Sequence, residues 1–373
     1  MKTTISFVLF VVLSIWNLPA FAKSSQWNEL KSREWANNQP WIVGANFIPA
    51  SAVNTLEMWQ KSTFNPAEIE KEFSLAKSIG MNSMRVFLHD LLWEQEPQAF
   101  GDRIEQVLAL ADKHNIKLML VLFDSCWNAV PKLGQQDAPR AGVHNSRWVQ
   151  SPGMEALLDS SQTPRLKRYV TGVVGRFAKD PRVLAWDVWN EPDNVNEGSI
   201  FDRIEKLAAV EALLPQVFEW TRSMDPIQPL TSGVWNGDWS TDANLKPIAK
   251  IQLQLSDVIS FHSYEDSTKF ESRISSLLRF NRAILCTEYM GRPFGNTVQT
   301  ILPMTKALKI GSFNWGFVAG KTQTFFPWDS WEKPYSTDPN PWFHDLFTKE
   351  HAPYDAVEIK LIRAMTGATS KAP

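Results

Sequence analysis

The chain has 373 residues, 44% hydrophobic and 21% charged, long enough for one large α/β barrel or two ordinary domains. Its formal net charge of −2, with no basic block, argues against a polyanionic partner such as nucleic acid and suits a neutral substrate. Only two cysteines, Cys126 and Cys286, are present, which allows at most one internal disulfide.

The first residues carry Lys2, an apolar run from Ile5 to Trp16, and small residues at Ala20 and Ala22. That pattern predicts a secretory signal over residues 1–22 and a secreted or periplasmic mature protein. The run is too short to span a bilayer, and no later segment reaches the required length without charges, so no membrane association is expected after cleavage.

From Trp41 onward, short apolar runs alternate with longer amphipathic stretches, the signature of repeated βα units. Eight strands are predicted over residues 41–48, 83–88, 117–123, 183–189, 230–234, 258–262, 283–288 and 312–318. Eight such units predict a single-domain (β/α)8 TIM barrel over residues 23–373, with 23–39 as a lead-in. Helices are predicted over 65–80, 103–114, 165–178, 206–224, 298–309 and 354–364. The first of these shows an asparagine cap, Pro66 in the first turn and early acids. The longest loops follow strands three and eight, at residues 124–160 and 319–341. Rich in Pro, Gly and Trp, they are expected to wall a binding site at the catalytic face. The two cysteines are placed on strands three and seven, across the barrel from each other, so a disulfide is not expected.

The strand tips carry the chemistry. Strand four ends in Asn190-Glu191-Pro192, with the proline stopping the ladder, and strand seven ends in Thr287-Glu288-Tyr289. The other strand ends contribute Arg85, Asp124, His262 with Tyr264, and Trp315. Two carboxylates among a histidine, a tyrosine, an arginine and an amide suit glycoside hydrolysis: one carboxyl protonates the leaving oxygen while the other attacks the anomeric carbon. Glu191 is expected to be the acid/base and Glu288 the nucleophile. The Tyr264 hydroxyl and the Arg85 charge should favour the Glu288 anion, and Glu288 as a like charge should raise Glu191. A retaining pair should lie about 5–5.5 Å apart, an inverting pair about 6.5–9.5 Å.

These residues resemble the clan GH-A glycoside hydrolases, most closely glycoside hydrolase family 5, the cellulase and mannanase family, over nearly the whole mature chain. The family's acid/base follows an asparagine, which matches Asn190-Glu191. Its nucleophile ends strand seven, which matches Glu288, and its strand-two arginine looks like Arg85. Its strand-six His-x-Tyr looks like His262-Ser263-Tyr264, and its strand-eight tryptophan looks like Trp315. The chain departs from that pattern after strand three, where the family commonly has a histidine and this sequence reads Asp124-Ser125-Cys126-Trp127. His89 is the candidate to replace it in space.

The resemblance implies a retaining β-glycosidase acting on a β-linked glycan of mannan or glucan type, without metal or organic cofactor and acting as a monomer. Two other enzymatic readings remain. One is a metal-dependent sugar isomerase or epimerase holding its cation with Glu191, Glu288, Asp124 and His262; the other is an exo-acting β-glycosidase of another clan GH-A family. A non-catalytic glycan-binding barrel ranks last because both acids are present. Seventeen tryptophans are available to stack on sugar rings. Trp35, Trp186 and Trp220 read as packing residues, whereas Trp127, Trp148, Trp235, Trp239, Trp315, Trp328 and Trp331 read as aromatics at the catalytic face.

Overall fold

The computed structural model describes residues 25–195 and 205–369. The predicted leader at 1–22 lies outside the described residues. Eight parallel strands form the sheet: β1 (Val43–Phe47), β2 (Ser83–Phe87), β3 (Lys117–Val121), β4 (Val183–Asp187), β5 (Leu230–Thr231), β6 (Ile259–His262), β7 (Ile284–Tyr289) and β8 (Gly311–Asn314). Their order is β5-β4-β3-β2-β1-β8-β7-β6. The remaining seam between β5 and β6 is joined just past β5 by a parallel bridge between Val234 and Phe261. There Val234 N donates to Ser260 O at 3.1 Å and His262 N to Val234 O at 2.9 Å. The result is the expected (β/α)8 barrel.

Strands came out shorter than the apolar runs that signalled them. Residues such as Trp189, Val234 and Phe317 are buried without belonging to a ladder, because the loops at the barrel mouth fold inward. The predicted helices are found at Pro66–Ser78, Pro97–Lys113, Thr163–Phe177, Glu205–Ser223, Val298–Ala307 and Ala356–Thr366. Asn65 caps the first of these through its side chain, which accepts from Glu68 N. Pro247–Leu255 and Ser267–Leu278 are helices beyond those predicted, and Asp266 caps the latter by accepting from Thr268 N and Lys269 N. The helix Glu29–Asn37 inside the lead-in is a third.

Two packed regions hold the barrel. The larger lies between strands and outer helices. The smaller gathers Ile42, Met119, Ala185, Val258, Leu285 and Phe313 toward the N-terminal ends of the strands, with Trp35 of the lead-in helix laid against it. Trp186 and Trp220 are buried packing residues as expected. Among the described residues no helix is long and apolar enough to cross a membrane. Cys126 and Cys286 are both buried and free, but Cys126 lies in the loop after β3 rather than on the strand.

Candidate active site

At the C-terminal ends of the strands, charged side chains replace apolar ones in the barrel interior. Asn46 and Arg85 are register partners on β1 and β2, and Asp187 closes β4. The Arg85 guanidinium, fully buried, donates to Asn46 Oδ1 (2.8 Å), Glu288 Oε1 (2.9 Å) and Asn190 Oδ1 (2.6 Å). It also reaches Asp187 Oδ2 from Nε (3.0 Å) and from a terminal nitrogen (2.7 Å). One planar cation thus ties four strand ends together, a geometry that a lysine ammonium does not supply. The ring of Phe87 lies 4.8 Å beneath it.

Local backbone irregularities aim the two glutamates. Glu191 sits in the left-handed region at φ +41°, a conformation that disfavours a side chain and persists only where its surroundings enforce it. Irregularities in register flank Glu288, between Phe261 and His262 on one neighbouring ladder and between Cys286 and Tyr289 on the other. Such bulges redirect side chains next to sites.

The carboxylates meet around His262. Its Nδ1 is 2.8 Å from Glu191 Oε1 and 3.5 Å from Glu288 Oε2. One oxygen of each glutamate and a ring nitrogen of His262 all lie within 4.8 Å of one another. The second oxygen of Glu191 accepts from Asn194 Nδ2 (2.7 Å) and from the Cys126 thiol (3.3 Å), and Glu288 Oε2 accepts from the Tyr264 hydroxyl (2.7 Å).

Both carboxyls titrate above the ordinary glutamate range. For Glu191 the main cause is burial, opposed by the hydrogen bonds from Asn194 and Cys126 and by the Arg85 charge. The expected cause, repulsion by Glu288, is therefore corrected: loss of hydration dominates. Glu288 is also raised by burial and by the Glu191 charge, against His262, Arg85 and Tyr264. Burial lowers His262 to about 4, so its ring is neutral at ordinary pH. The Cys126 thiol is pushed well up by burial and by the charges of Asp124 and Glu191, and stays protonated as a donor.

Of the other predicted residues, Asn190 and Asp124 lie one layer below. Asn190 Nδ2 donates to Asp124 Oδ1 at 2.9 Å, and Asp124 also accepts from Trp148 Nε1 (2.5 Å) and Cys126 N (3.0 Å). Asn190 thus bridges Arg85 to Asp124 instead of orienting Glu191 directly. Trp315, half-buried, stands edge-on to Phe87 and Trp148, each at 5.9 Å. Trp127 stacks on Trp331 at 5.2 Å, and Trp235 donates to Asp193 Oδ1 at 2.6 Å, two residues beyond Glu191.

Three expectations are corrected. His89 does not take the place of a histidine after strand three: it is buried and caps the helix Asp90–Gln95, its Nδ1 accepting from Leu91 N. Trp239 is a core residue, 1% exposed and edge-on to Phe261, because the loop after β5 folds back on the barrel. Trp148 is likewise buried, and its indole serves Asp124. The sequence reading passed over Asn46, Asp187, Asn194 and the Cys126 contact. Asp187 carried a usable signal, an acid inside an otherwise apolar strand, since such groups are buried only when paired.

Comparison with known proteins agrees with this geometry. The family described as Cellulase (glycosyl hydrolase family 5) matches residues 43–321. Mannan endo-1,4-beta-mannosidase A of Hypocrea jecorina is 24% identical over 237 residues, 56% of this chain and 50% of that protein, so the chain spans about half the length of this curated relative. Among solved structures, the exo-beta-1,4-mannosidase Op5Man5 from Opitutaceae bacterium strain TAV5 superposes with a TM-score of 0.60 at 17% identity, covering 87% of this chain and 60% of that one. The endo-1,4-beta-mannanase from Rhizomucor miehei gives 0.55 at 14% identity, covering 87% and 97%. The chain belongs to glycoside hydrolase family 5.

Proposed function

We propose that the protein is a retaining β-glycoside hydrolase that cleaves β-mannosidic linkages, with Glu288 as nucleophile and Glu191 as acid/base. The observation that carries this reading is the pair of buried carboxylates meeting at His262, only one of which is held directly by a fixed cation. Arg85 on one oxygen of Glu288 and the Tyr264 hydroxyl on the other favour the anion needed for attack. Glu191, buried away from water and held by neutral donors, suits a group that keeps a proton.

In the first step a Glu288 oxygen bonds to the anomeric carbon as the bond to the leaving oxygen breaks, and the Glu191 proton passes to that oxygen. In the second, Glu191 takes a proton from water, whose oxygen attacks the anomeric carbon and releases the Glu288 carboxylate. Asn190, Asp187 and Asn46 act through Arg85, and Asp124 through Asn190. Trp315 offers a flat face to the sugar beside the nucleophile, and Trp235 and Trp127 border the mouth. No cofactor takes part, and the apolar N-terminal run supports export. Mannose rather than glucose is favoured because the relatives above are named for mannan or mannoside cleavage.

The isomerase alternative fares less well. Glu191, His262 and Glu288 do converge, but Asp124 is committed to Trp148, Asn190 and Cys126 N. The buried Arg85 charge 2.9 Å from Glu288 also repels a second cation there. The test is hydrolysis of β-1,4-mannan beside mixed-linkage glucan and xylan, with and without chelator, and proton NMR of the first anomer. Mannoside cleavage with a β-anomer first and no chelator effect is expected; an α-anomer first, or activity confined to glucan or xylan, overturns the reading.

A further inference from the structure

The arrangement of the mouth carries the proposed function one step further, to where along a glycan the enzyme cuts. Glu191 lies just past the end of β4, and its proton must reach the departing oxygen, so the departing part of the substrate lies toward β4 and β5. The sugar bonded to Glu288 then lies on the opposite side, over β8, β1 and β2, where Trp315, Asn46 and Arg85 stand.

That side of the rim is shut. The loops after β3 and β8 meet across the ends of β1 and β2, the two strands between them in the barrel. Asn145 N donates to Thr322 O at 2.7 Å, and Tyr335 N to Gly142 O at 3.0 Å. The Gln323 amide grips the β3 loop three times, accepting from Gly142 N (3.1 Å) and donating to Arg140 O (2.7 Å) and Val143 O (3.4 Å). His144 N donates to Ser330 Oγ at 2.9 Å. Trp127 and Trp331, one from each loop, stack with their planes 13° apart. His144 and Asn145 are 1% and 0% exposed, so this is a packed junction rather than two surfaces in casual contact.

The closure continues in both directions. Asn54 of the β1 loop donates to Arg147 O at 2.9 Å, and Trp328 of the β8 loop lies edge-on to Tyr264 at 5.0 Å, carrying the wall past β7 to β6. Beside Trp315, a cavity of about 20 Å³ lined by Asn46, Phe87, Trp148 and Asp345 holds no more than a water molecule, so the wall is packed close behind the tryptophan.

We infer that the site is a blind pocket, one sugar deep on the glycone side, and that the enzyme removes single mannose units from the non-reducing ends of β-mannan chains. The inference rests on the proposed function, and the experiment separates the two. The full chain is incubated with β-1,4-mannohexaose, with soluble galactomannan, and with 4-nitrophenyl β-mannoside. The pocket predicts mannose as the first small product from the hexaose and mannose release from galactomannan without an early fall in viscosity. Mannobiose or mannotriose at early times, or viscosity falling before mannose appears, overturns it. Aryl mannoside cleavage accompanied by internal cuts would sink only this inference, whereas failure on every mannoside would sink the proposed function itself.

The double variant Gln323→Ala/Trp331→Ala unpicks the junction and should begin to release mannobiose from the hexaose. An unchanged product pattern in a variant whose circular dichroism matches the parent would show that the wall does not set the cut, and would also overturn the inference. Should the variant fail to fold, the products of the unaltered chain decide.

Discussion

At the N-terminal ends of its strands the barrel is filled by Ile42, Val258 and Leu285, with Trp35 laid against their cluster. At the C-terminal ends the same sheet points Arg85, Asp187 and Glu288 into an equally dry interior. Both regions are close to fully buried, so solvent exposure does not distinguish them; the kind of partner does. Apolar filling asks for volume and shape, and it tolerates substitutions that conserve them. Charged filling asks that every group keep its counterpart, because a buried ion stripped of its partner costs more than the pair ever contributed. The apolar end should therefore set stability and tolerate repacking, and the charged end should set activity and fail as a unit.

The largest effect that sharpens this contrast is at the carboxylates. Glu288→Gln should lower kcat by on the order of 10⁴-fold or more, as loss of a covalent nucleophile does in other enzymes, with the melting temperature near that of the parent. Glu191→Gln should cost about 10²–10⁴-fold on a mannan, whose leaving oxygen needs the proton, and far less on an activated aryl mannoside. Steady-state kinetics on the two substrates checks both.

Next comes the buried cation. Arg85→Ala leaves Asp187 and Glu288 without their counter-charge and should cost about 3–5 kcal/mol of stability, seen by chemical denaturation, together with activity. The double variant Arg85→Met/Asp187→Leu should regain much of the stability and none of the activity. If it regained turnover, the charged end would not be acting as a catalytic unit. At the opposite end, Leu285→Ala should cost about 2–5 kcal/mol while leaving kcat unchanged, because Leu285 packs with Ile42 and Phe313 beside Gly311 at the start of β8, three residues before Glu288.

The smallest effect concerns a buried acid outside both ends. Glu72, fully buried on the helix Pro66–Ser78, accepts from Ala50 N at 3.0 Å, and burial raises it to about 8. A carboxyl whose folded value exceeds its unfolded one binds its proton more tightly in the native state. Its contribution to stability is therefore present below about 4.5 and lost as pH rises toward about 8. Glu72→Gln should be more stable than the parent at pH 9, with the gap closing near pH 4; a gap independent of pH would show that burial of the charge is not the cause.

The legible parts of the site were those written at strand tips. Glu191, His262, Tyr264 and Glu288 lie at or just past the end of an apolar run, where a polar residue has no packing reason to be; Arg85 is a cation inside one, and the structure brings all five together. Asn46 is harder to see because it lies within a strand, where one uncharged polar residue in a short run looks like ordinary alternation; only the barrel's closure makes both faces dry. Asn194 and Cys126 reach Glu191 from loops, and no period in the sequence reports which loop residue turns inward. The same blindness placed Trp239 and Trp148 at the catalytic face. Position on a loop locates the backbone and says nothing of whether the indole is covered. The helix Pro247–Leu255 starts without a side-chain cap, so its beginning is poorly marked in the sequence, whereas Ser267–Leu278 carries an ordinary cap in Asp266.

The central step is the bond that Glu288 forms to the sugar. Incubation of the protein with an activated 2-deoxy-2-fluoro-β-mannoside, which slows the second step more than the first, should leave one glycosyl unit per chain. Peptide mapping by mass spectrometry should place it on Glu288. A label on any other residue, or turnover of a mannoside with no label accumulating and an inverted first anomer, would contradict the account.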